Sequence, residues 1–287
     1  FYPGYYDNIG DMANKGVELE LNYIPVNKKN FTWKINLNLT HYKNKITYLP
    51  DEKKTTVMDG HGGYMNGSRY YGEDLPINTW YMKRFAGLSE DGLSLWYYTD
   101  KETNEEKTTT TYSTGDFYLC GDPNPDLYGG FGTSITFHGF DLSTQFSYLV
   151  GGLTYDYGYA GMMGNPTATS VGNRWHKDVL KAWSPENPSS TIPRWHFNDL
   201  NTTGSSDRFL IDGSYLNLQN IQVGYTLPDS WTSHLKIKNL RLYFVCDNVY
   251  YWSKRKGLDP RRSISGVGTS GKIAPFRTYS GGISLQF

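Results

Sequence analysis

The sequence predicts an all-β fold, an antiparallel barrel whose strands cross a membrane. Three observations predict it. Side chains alternate with a period of two along several stretches about ten residues long, the length a tilted strand needs to cross a bilayer. The connections between these stretches alternate short and long. The composition is poor in hydrophobic residues at 38% but carries 16% aromatics, with 25 tyrosines. A soluble core of this size draws mainly on Leu, Ile and Val. A barrel wall needs apolar residues at only half its positions, plus aromatic belts at two interfaces.

The strands follow in order. Val17, Leu19, Leu21 and Tyr23 interleave with Glu18, Glu20 and Asn22, and Pro25–Asn30 reads as a polar turn. Phe31, Trp33, Ile35, Leu37 and Leu39 then interleave with Thr32, Lys34, Asn36, Asn38 and Thr40. Two weaker candidates cover Thr79–Leu88 and Leu93–Tyr98 around Ser89-Glu90-Asp91-Gly92. Phe131, Thr133, Ile135 and Phe137 alternate with small or hydroxyl residues as far as His138-Gly139, a tight-turn dipeptide. Phe140, Leu142, Thr144, Phe146, Tyr148 and Val150 continue after it. Residues 214–227 place Ile221, Val223, Tyr225 and Leu227 on one face. Residues 240–247 place Leu240, Leu242, Phe244 and Cys246 there.

The final strand ends on a bare aromatic. Tyr279, Gly281, Ile283 and Leu285 alternate with Ser280, Gly282, Ser284 and Gln286, and Phe287 follows. A terminal aromatic strand suits the closing strand of a membrane barrel, with one face to lipid and the other to a wet lumen. Tyr279, Ile283, Leu285 and Phe287 are therefore the expected assembly signal.

Alternation alone does not separate a barrel from a soluble sandwich. Connection length does. Pro25–Asn30, His138–Gly139 and Pro228–Asn239 are short, while residues 43–78, 101–126, 151–208 and 253–275 are long. Long structureless loops are uncommon in compact domains. Outer-membrane barrels combine short periplasmic turns with long extracellular loops. With the 79–98 pair taken as a hairpin, the count is about nine strands. An odd count with two open edges, and a start at Phe1-Tyr2-Pro3-Gly4 with neither Met nor leader, lead to the expectation that residues 1–287 are the C-terminal part of a larger barrel.

Charge and motifs exclude other classes. Lys plus Arg and Asp plus Glu are 28 each, so the net charge is zero, and the basic excess that nucleic acid requires is missing. No run of 18 apolar residues forms a spanning helix. Asp122-Pro-Asn-Pro-Asp126 begins like a calcium loop, but Leu127 stands where glycine is needed and Thr133 where glutamate is needed. It reads as a rigid turn. None of the six histidines has zinc-hydrolase spacing, and the nucleophile elbow and phosphate loop are both missing. No catalytic residue, cofactor or metal is expected. Cys120 and Cys246 are too few for a disulfide scaffold. A short helix is expected within 165–183, capped by Thr169 or Ser170.

Several stretches resemble one family, the SusC-like (RagA-like) TonB-dependent outer-membrane transporters of Bacteroidetes. They are Asn8-Ile-Gly-Asp-Met-Ala-Asn-Lys-Gly16, Gly121-Asp-Pro-Asn-Pro-Asp126 with Tyr128-Gly-Gly-Phe131, and Gly139-Phe-Asp-Leu-Ser143. Trp183-Ser-Pro-Glu-Asn-Pro188 with Pro193-Arg194, Ser214-Tyr-Leu-Asn-Leu-Gln-Asn-Ile221 with Gly224-Tyr-Thr-Leu-Pro228, Gly257-Leu-Asp-Pro260 and Arg277-Thr-Tyr279 follow in family order. Each is weak alone; the ordered set is specific.

The resemblance implies a barrel of 22 strands with a plugged lumen, located in the Gram-negative outer membrane. It implies import of oligosaccharides or peptides, a SusD-like surface lipoprotein as lid, and TonB acting through an N-terminal region outside this sequence. The remaining barrel, the plug and membrane lipids would be the other partners. An alternative reading is a related barrel that no longer transports and serves as a scaffold in an outer-membrane assembly. A third is a soluble carbohydrate-binding sandwich, which would fail to float with lipid. Loop aromatics are the candidate ligand or lid contacts: Trp80, Tyr81, Trp96, Tyr155, Tyr157, Trp175, Trp183 and Trp195. Such rings stack on sugars and dominate interfaces, and many also pack loop against loop.

Overall fold

A computed structural model describes residues 8–167, 174–202, 204–262, 265–267 and 275–287. Seven strands build one antiparallel sheet in sequence order. They are β1 (Asp11–Lys28), β2 (Phe31–Tyr48), β3 (Leu127–Phe137), β4 (Phe140–Val150), β5 (Tyr215–Thr226), β6 (Asn239–Ser253) and β7 (Thr278–Gln286). Every neighbour in the sheet is the next wall strand in the chain, so the topology is a simple meander.

The register carries the alternation across the whole sheet. Directly paired residues share a face. Leu21 pairs with Leu37, Leu37 with Phe131, Phe131 with Phe146 and Phe146 with Leu218. One turn lower, Leu142 pairs with Val223, Val223 with Phe244 and Leu242 with Ile283. The other face runs Asn22, Asn36, Gly132, Gln145, Asn220, Asp247 and Thr278 in one continuous row. One face is thus apolar over all seven strands, and the other carries amides, hydroxyls, glycines and charged groups.

No described element covers the apolar face. Leu19 is 51% exposed, Phe244 49% and Ile283 66%. A sandwich would bury this face under a second sheet about 10 Å away. A continuous exposed apolar surface of this kind marks a membrane or partner contact.

The 79–98 segments correct the strand count from nine to seven. Thr79–Lys83 and Phe85–Leu88 with Ser94–Thr99 pair in separate small sheets and add nothing to the wall. All five residues of Thr79–Lys83 are buried, so this strand has no solvent or lipid face. With seven strands the short turns still lie at one end and the long connections at the other. The first turn is tighter than expected: Pro25–Lys28 stay in β1, past a bulge after Tyr23, and residues 29–30 make the bend.

The long connections are not structureless. Residues 49–126 hold a five-stranded and a three-stranded sheet, and residues 153–155 pair with 210–212. A seven-residue helix, α1 (Tyr157–Met163), follows; the Asp156 side chain caps it by accepting from Tyr159 N. The helix cap expected from the sequence lies farther along, at Thr169 or Ser170, which are outside the described residues. A 3-10 turn, Lys177–Lys181, occupies the later part of that expected span.

The packed core sits in this loop layer, not in the wall. Trp80, Met82, Tyr155, Met163 and Phe209 form it, drawn from the first and second long connections. The third connection is tied in as well. Tyr155 N donates to Gly266 O at 2.8 Å, and the Arg69 guanidinium donates to Ser265 O.

Candidate functional site: the polar wall face and its loop layer

The polar face is floored by glycine and walled by amides. Over Gly132, the Asn36 and Gln145 side chains lean together at 3.5 Å. Asn38 accepts from Gly130 N at 2.8 Å, and Asn220 donates to Asp247 at 2.6 Å. Asn36, Gln145 and Asn220, with Lys34, Ser134 and Ser143, line a shallow hollow of about 480 Å³. Amides and hydroxyls that both donate and accept, beside an occasional charge, suit a wet lumen surface.

Near the short-turn end, Arg241 on β6 reaches across β5 to Asp141 on β4 with bonds of 2.9 and 2.5 Å. Gly224 lies beneath. A Cβ there would fall 2.4 Å from Asp141 Oδ1 and 2.5 Å from Arg241 Nη2. The glycine therefore permits a bidentate ion pair to bridge two non-adjacent strands.

At the opposite end the loops fold over the wall. Arg261 is held by Asp259 at 2.7 and 2.8 Å and donates to Asn217 on β5 at 2.6 Å. Arg255 donates to Asp156 at 2.5 Å, joining the third connection to the cap of α1. Both acids are buried, Asp156 3% and Asp259 6% exposed, and each is paired as burial requires.

Two cations inside the layer are held by carbonyls and rings. Lys83 is buried with its ammonium on the carbonyls of Tyr112, Ser113 and Gly115 at 2.6, 3.1 and 2.5 Å. Burial pulls its pKa below the ordinary lysine value. Arg69 stacks on the Trp80 ring at 3.1 Å, and burial lowers its pKa to about 10. Burial pushes the Tyr155 phenol to about 12 and the Cys120 thiol to about 11. Cys120 and Cys246 are both free. Asp122 accepts from the backbone and side-chain nitrogens of Asn124 at 2.9 and 2.7 Å, which makes the Asp-Pro-Asn-Pro segment a rigid turn. Among the described residues no group of three or more His, Cys, Asp or Glu side chains could hold a metal ion.

The eight aromatics expected at a ligand or lid surface divide into two groups. Trp80, Tyr81, Trp96 and Tyr155 are 0%, 7%, 1% and 3% exposed. They are corrected to core: they hold the loop layer together and offer no face to a ligand. Tyr157 and Trp195 remain exposed, at 36% and 42%. Trp175 and Trp183 are half-buried, Trp175 edge-on to Trp195 at 5.6 Å and Trp183 over Gly92. Sequence reading missed Tyr42, Tyr128 and Tyr215, which lie in wall strands at the loop end. Their signal was parity, since each falls on the polar face of its strand where an aromatic is out of pattern. Of the terminal residues, Tyr279, Ile283 and Leu285 share the apolar face, with Tyr279 stacked on Phe244 at 6.1 Å, and Phe287 is exposed beyond β7.

No family model matches the chain. Individual relatives do. TonB-dependent receptor P3 of Formosa agariphila is 29% identical over 310 residues, covering 98% of this chain and 29% of that protein. TonB-dependent receptor SusC of Bacteroides thetaiotaomicron is 26% identical over 291 residues, covering 98% and 27%. The chain thus spans under a third of the length of the curated relatives it matches. A solved structure of the RagAB peptide transporter superposes with a TM-score of 0.80 at 24% identity, covering 98% of this chain and 30% of that one. The RagAB peptide importer in its closed-closed state gives 0.76 at 25% identity, again over 98% and 30%. These relatives are receptors and transporters by name, and the seven-stranded sheet is a section of antiparallel β-barrel wall. In sequence and in fold, over nearly its whole length, the chain resembles the SusC-like TonB-dependent receptors.

Proposed function

We propose that this chain is the C-terminal wall and outer loop layer of an outer-membrane nutrient importer of Bacteroidetes. One observation carries the reading. A seven-stranded wall is apolar on one face and polar on the other, with every long connection gathered at one end. The apolar face contacts lipid and the polar face lines a lumen. Both edge strands, β1 and β7, pair on one side only among the described residues. In lipid an unpaired backbone group costs several kcal/mol. The edges therefore require further strands, which the N-terminal part of the same receptor supplies, while its plug fills the lumen.

The cargo is an oligosaccharide or a peptide, and TonB energises its entry through that N-terminal region. A SusD-like surface lipoprotein covers the loop layer, meeting the exposed rings of Tyr157 and Trp195. The terminal strand, with Tyr279, Ile283, Leu285 and Phe287, directs assembly and closes the barrel.

Uptake of labelled glycans and peptides by cells carrying the complete receptor, with and without TonB, tests the reading. TonB-dependent uptake supports it. Intact barrel in the outer membrane with no uptake of either cargo, alongside loss of a surface complex when the gene is deleted, would favour a scaffold instead. A photo-crosslinker at Trp195 should capture a surface lipoprotein in whole outer membranes. Reaction only from the periplasmic side would reverse the topology.

A further inference from the structure

The wall meets the loop layer at a corner on the polar face. Tyr128, Leu149 and Tyr215 stand there in one cross-strand row, because Tyr128 pairs with Leu149 and Leu149 with Tyr215. Tyr42 on β2 sets its ring edge-on to Tyr128, 6.1 Å away at 87°. Pro123 and Pro125 close one side and Pro260 with Arg261 another, which leaves a hollow of about 340 Å³. We infer that this corner is a binding subsite for one pyranose ring of a neutral oligosaccharide. The inference rests on the import reading above and selects between its two cargo classes.

Three properties of the corner point to a sugar. The first is shape. Phenol and proline rings offer flat apolar walls with polar rims, and a pyranose offers a flat C–H face with hydroxyls around its edge. The second is free hydrogen-bonding capacity at the rim. Among the described residues the Tyr128 and Tyr215 hydroxyls have no partner, and Tyr42 makes only a 3.5 Å contact to Asn124. The third is charge. Arg261 is the cation in the lining, and the Asp259 carboxylate neutralises it through two bonds. The lining itself carries no uncompensated charge, while the Asp122 and Asp126 carboxylates beside Tyr42 and Gly151 disfavour an acidic ligand.

A peptide is disfavoured for a separate reason. Recognition of an extended peptide draws on unpaired main-chain groups, as in strand addition. Here the main chain is engaged. Gly151 N donates to Ser214 Oγ, Gly213 N to Gly152 O, Leu153 N to Asp122 O and Asp126 N to Val150 O, all between 2.8 and 2.9 Å. The same bonds fix the corner. Gly151 and Gly152 have φ of +79° and +72°, and a Cβ on Gly152 would fall 2.5 Å from Pro123 O. A preformed corner avoids the entropy cost of ordering its walls on binding.

The test uses the complete receptor, purified in detergent. It is probed on an array of neutral oligosaccharides and on an array of uncharged peptides, then by calorimetry with the strongest hit. The expected result is binding to neutral glycans. Tyr128→Ala with Tyr215→Ala should weaken it on the order of tenfold or more, one factor of ten for each 1.4 kcal/mol of lost contact. Tyr128→Phe with Tyr215→Phe keeps the rings and should show a smaller loss. Trp231→Ala, at the opposite end of the wall, should leave the affinity unchanged. Heat-modifiable migration on gels confirms that each variant is a folded barrel. Binding of peptides but not glycans, no binding of either, or glycan binding unchanged in the double alanine variant each overturns the inference. Uptake separates the two claims. Glycan binding that depends on both tyrosines but without uptake removes the import reading and leaves the subsite. Uptake that survives the double alanine change does the reverse.

Discussion

Replacing Ile221 or its neighbour Gln222 by arginine should have very different costs. The two are adjacent on β5 but stand on opposite faces: Ile221 pairs with Thr144 and Cys246, Gln222 with Ser143 and Val245. β5 has 12 residues. At about 3.4 Å per residue and a tilt near 45° it rises roughly 29 Å, close to the hydrocarbon thickness of a bilayer. Ile221 is near the middle of that rise. Arginine on the lipid face at mid-height costs about 2–4 kcal/mol. That is a factor of roughly 30 to 1,000 in the folding equilibrium. Gln222→Arg places the same charge among serines and amides above the lumen, where the cost should stay below about 1 kcal/mol, as for a solvated surface position. Denaturant unfolding of the complete receptor in lipid vesicles measures both. An equal penalty at the two sites, or a larger one at Gln222, would refute the facing of the sheet.

Other consequences follow from particular contacts. Gly224→Ala should cost about 1–3 kcal/mol by overpacking against the Asp141–Arg241 pair. Removing that pair as well should relieve the penalty, and an alanine tolerated without loss would show that the pair does not bridge β5. Trp80→Ala should cost about 3–5 kcal/mol in the loop layer, as for large aromatic truncations in a core. Protease nicking of residues 49–126 under native conditions would report it, and unchanged resistance would contradict the packed layer. Asp100 is held down to about 2 by the Lys107 ammonium, then by Glu102 and Thr103 N–H groups. Its stabilisation of the 94–109 hairpin is present above the ordinary aspartate value near 4 and is lost as pH falls toward 2. Hydrogen exchange of that hairpin should speed up over this range, and an Asp100→Asn receptor should not show the step.

The wall was legible because it obeys one rule. All seven strands carry period-two alternation, and pairing puts Leu37, Phe131, Phe146 and Leu218 in one line across four of them. The loop layer was not legible because it obeys no single period. Thr79–Lys83 is buried on both faces, so its apolar and polar residues do not alternate, and it passed for a weak wall strand. α1 runs Tyr-Gly-Tyr-Ala-Gly-Met-Met, with two glycines that lower helix propensity, and only the Asp156 cap announces it. Of the eight loop aromatics, Trp80, Tyr81, Trp96 and Tyr155 are buried and the other four keep some exposure. Sequence composition marks a ring as amphipathic but cannot say which side of a loop it packs against. Tyr42, Tyr128 and Tyr215 needed the register, which brings residues 86 or more positions apart to one corner.

The facing of the wall is the central claim, and spin labels placed singly at residues 216–225 of the complete receptor in bilayers test it most directly. Oxygen, which partitions into lipid, and a water-soluble nickel chelate should reach these positions in opposite phase with a period of two. On this account Leu216, Leu218, Ile221, Val223 and Tyr225 are open to oxygen. Asn217, Asn220, Gln222 and Gly224 are open to nickel, with one break in the phase at the bulge beside Gln219. Uniform access to nickel along the whole strand, or the same alternation with the phases exchanged, would contradict it.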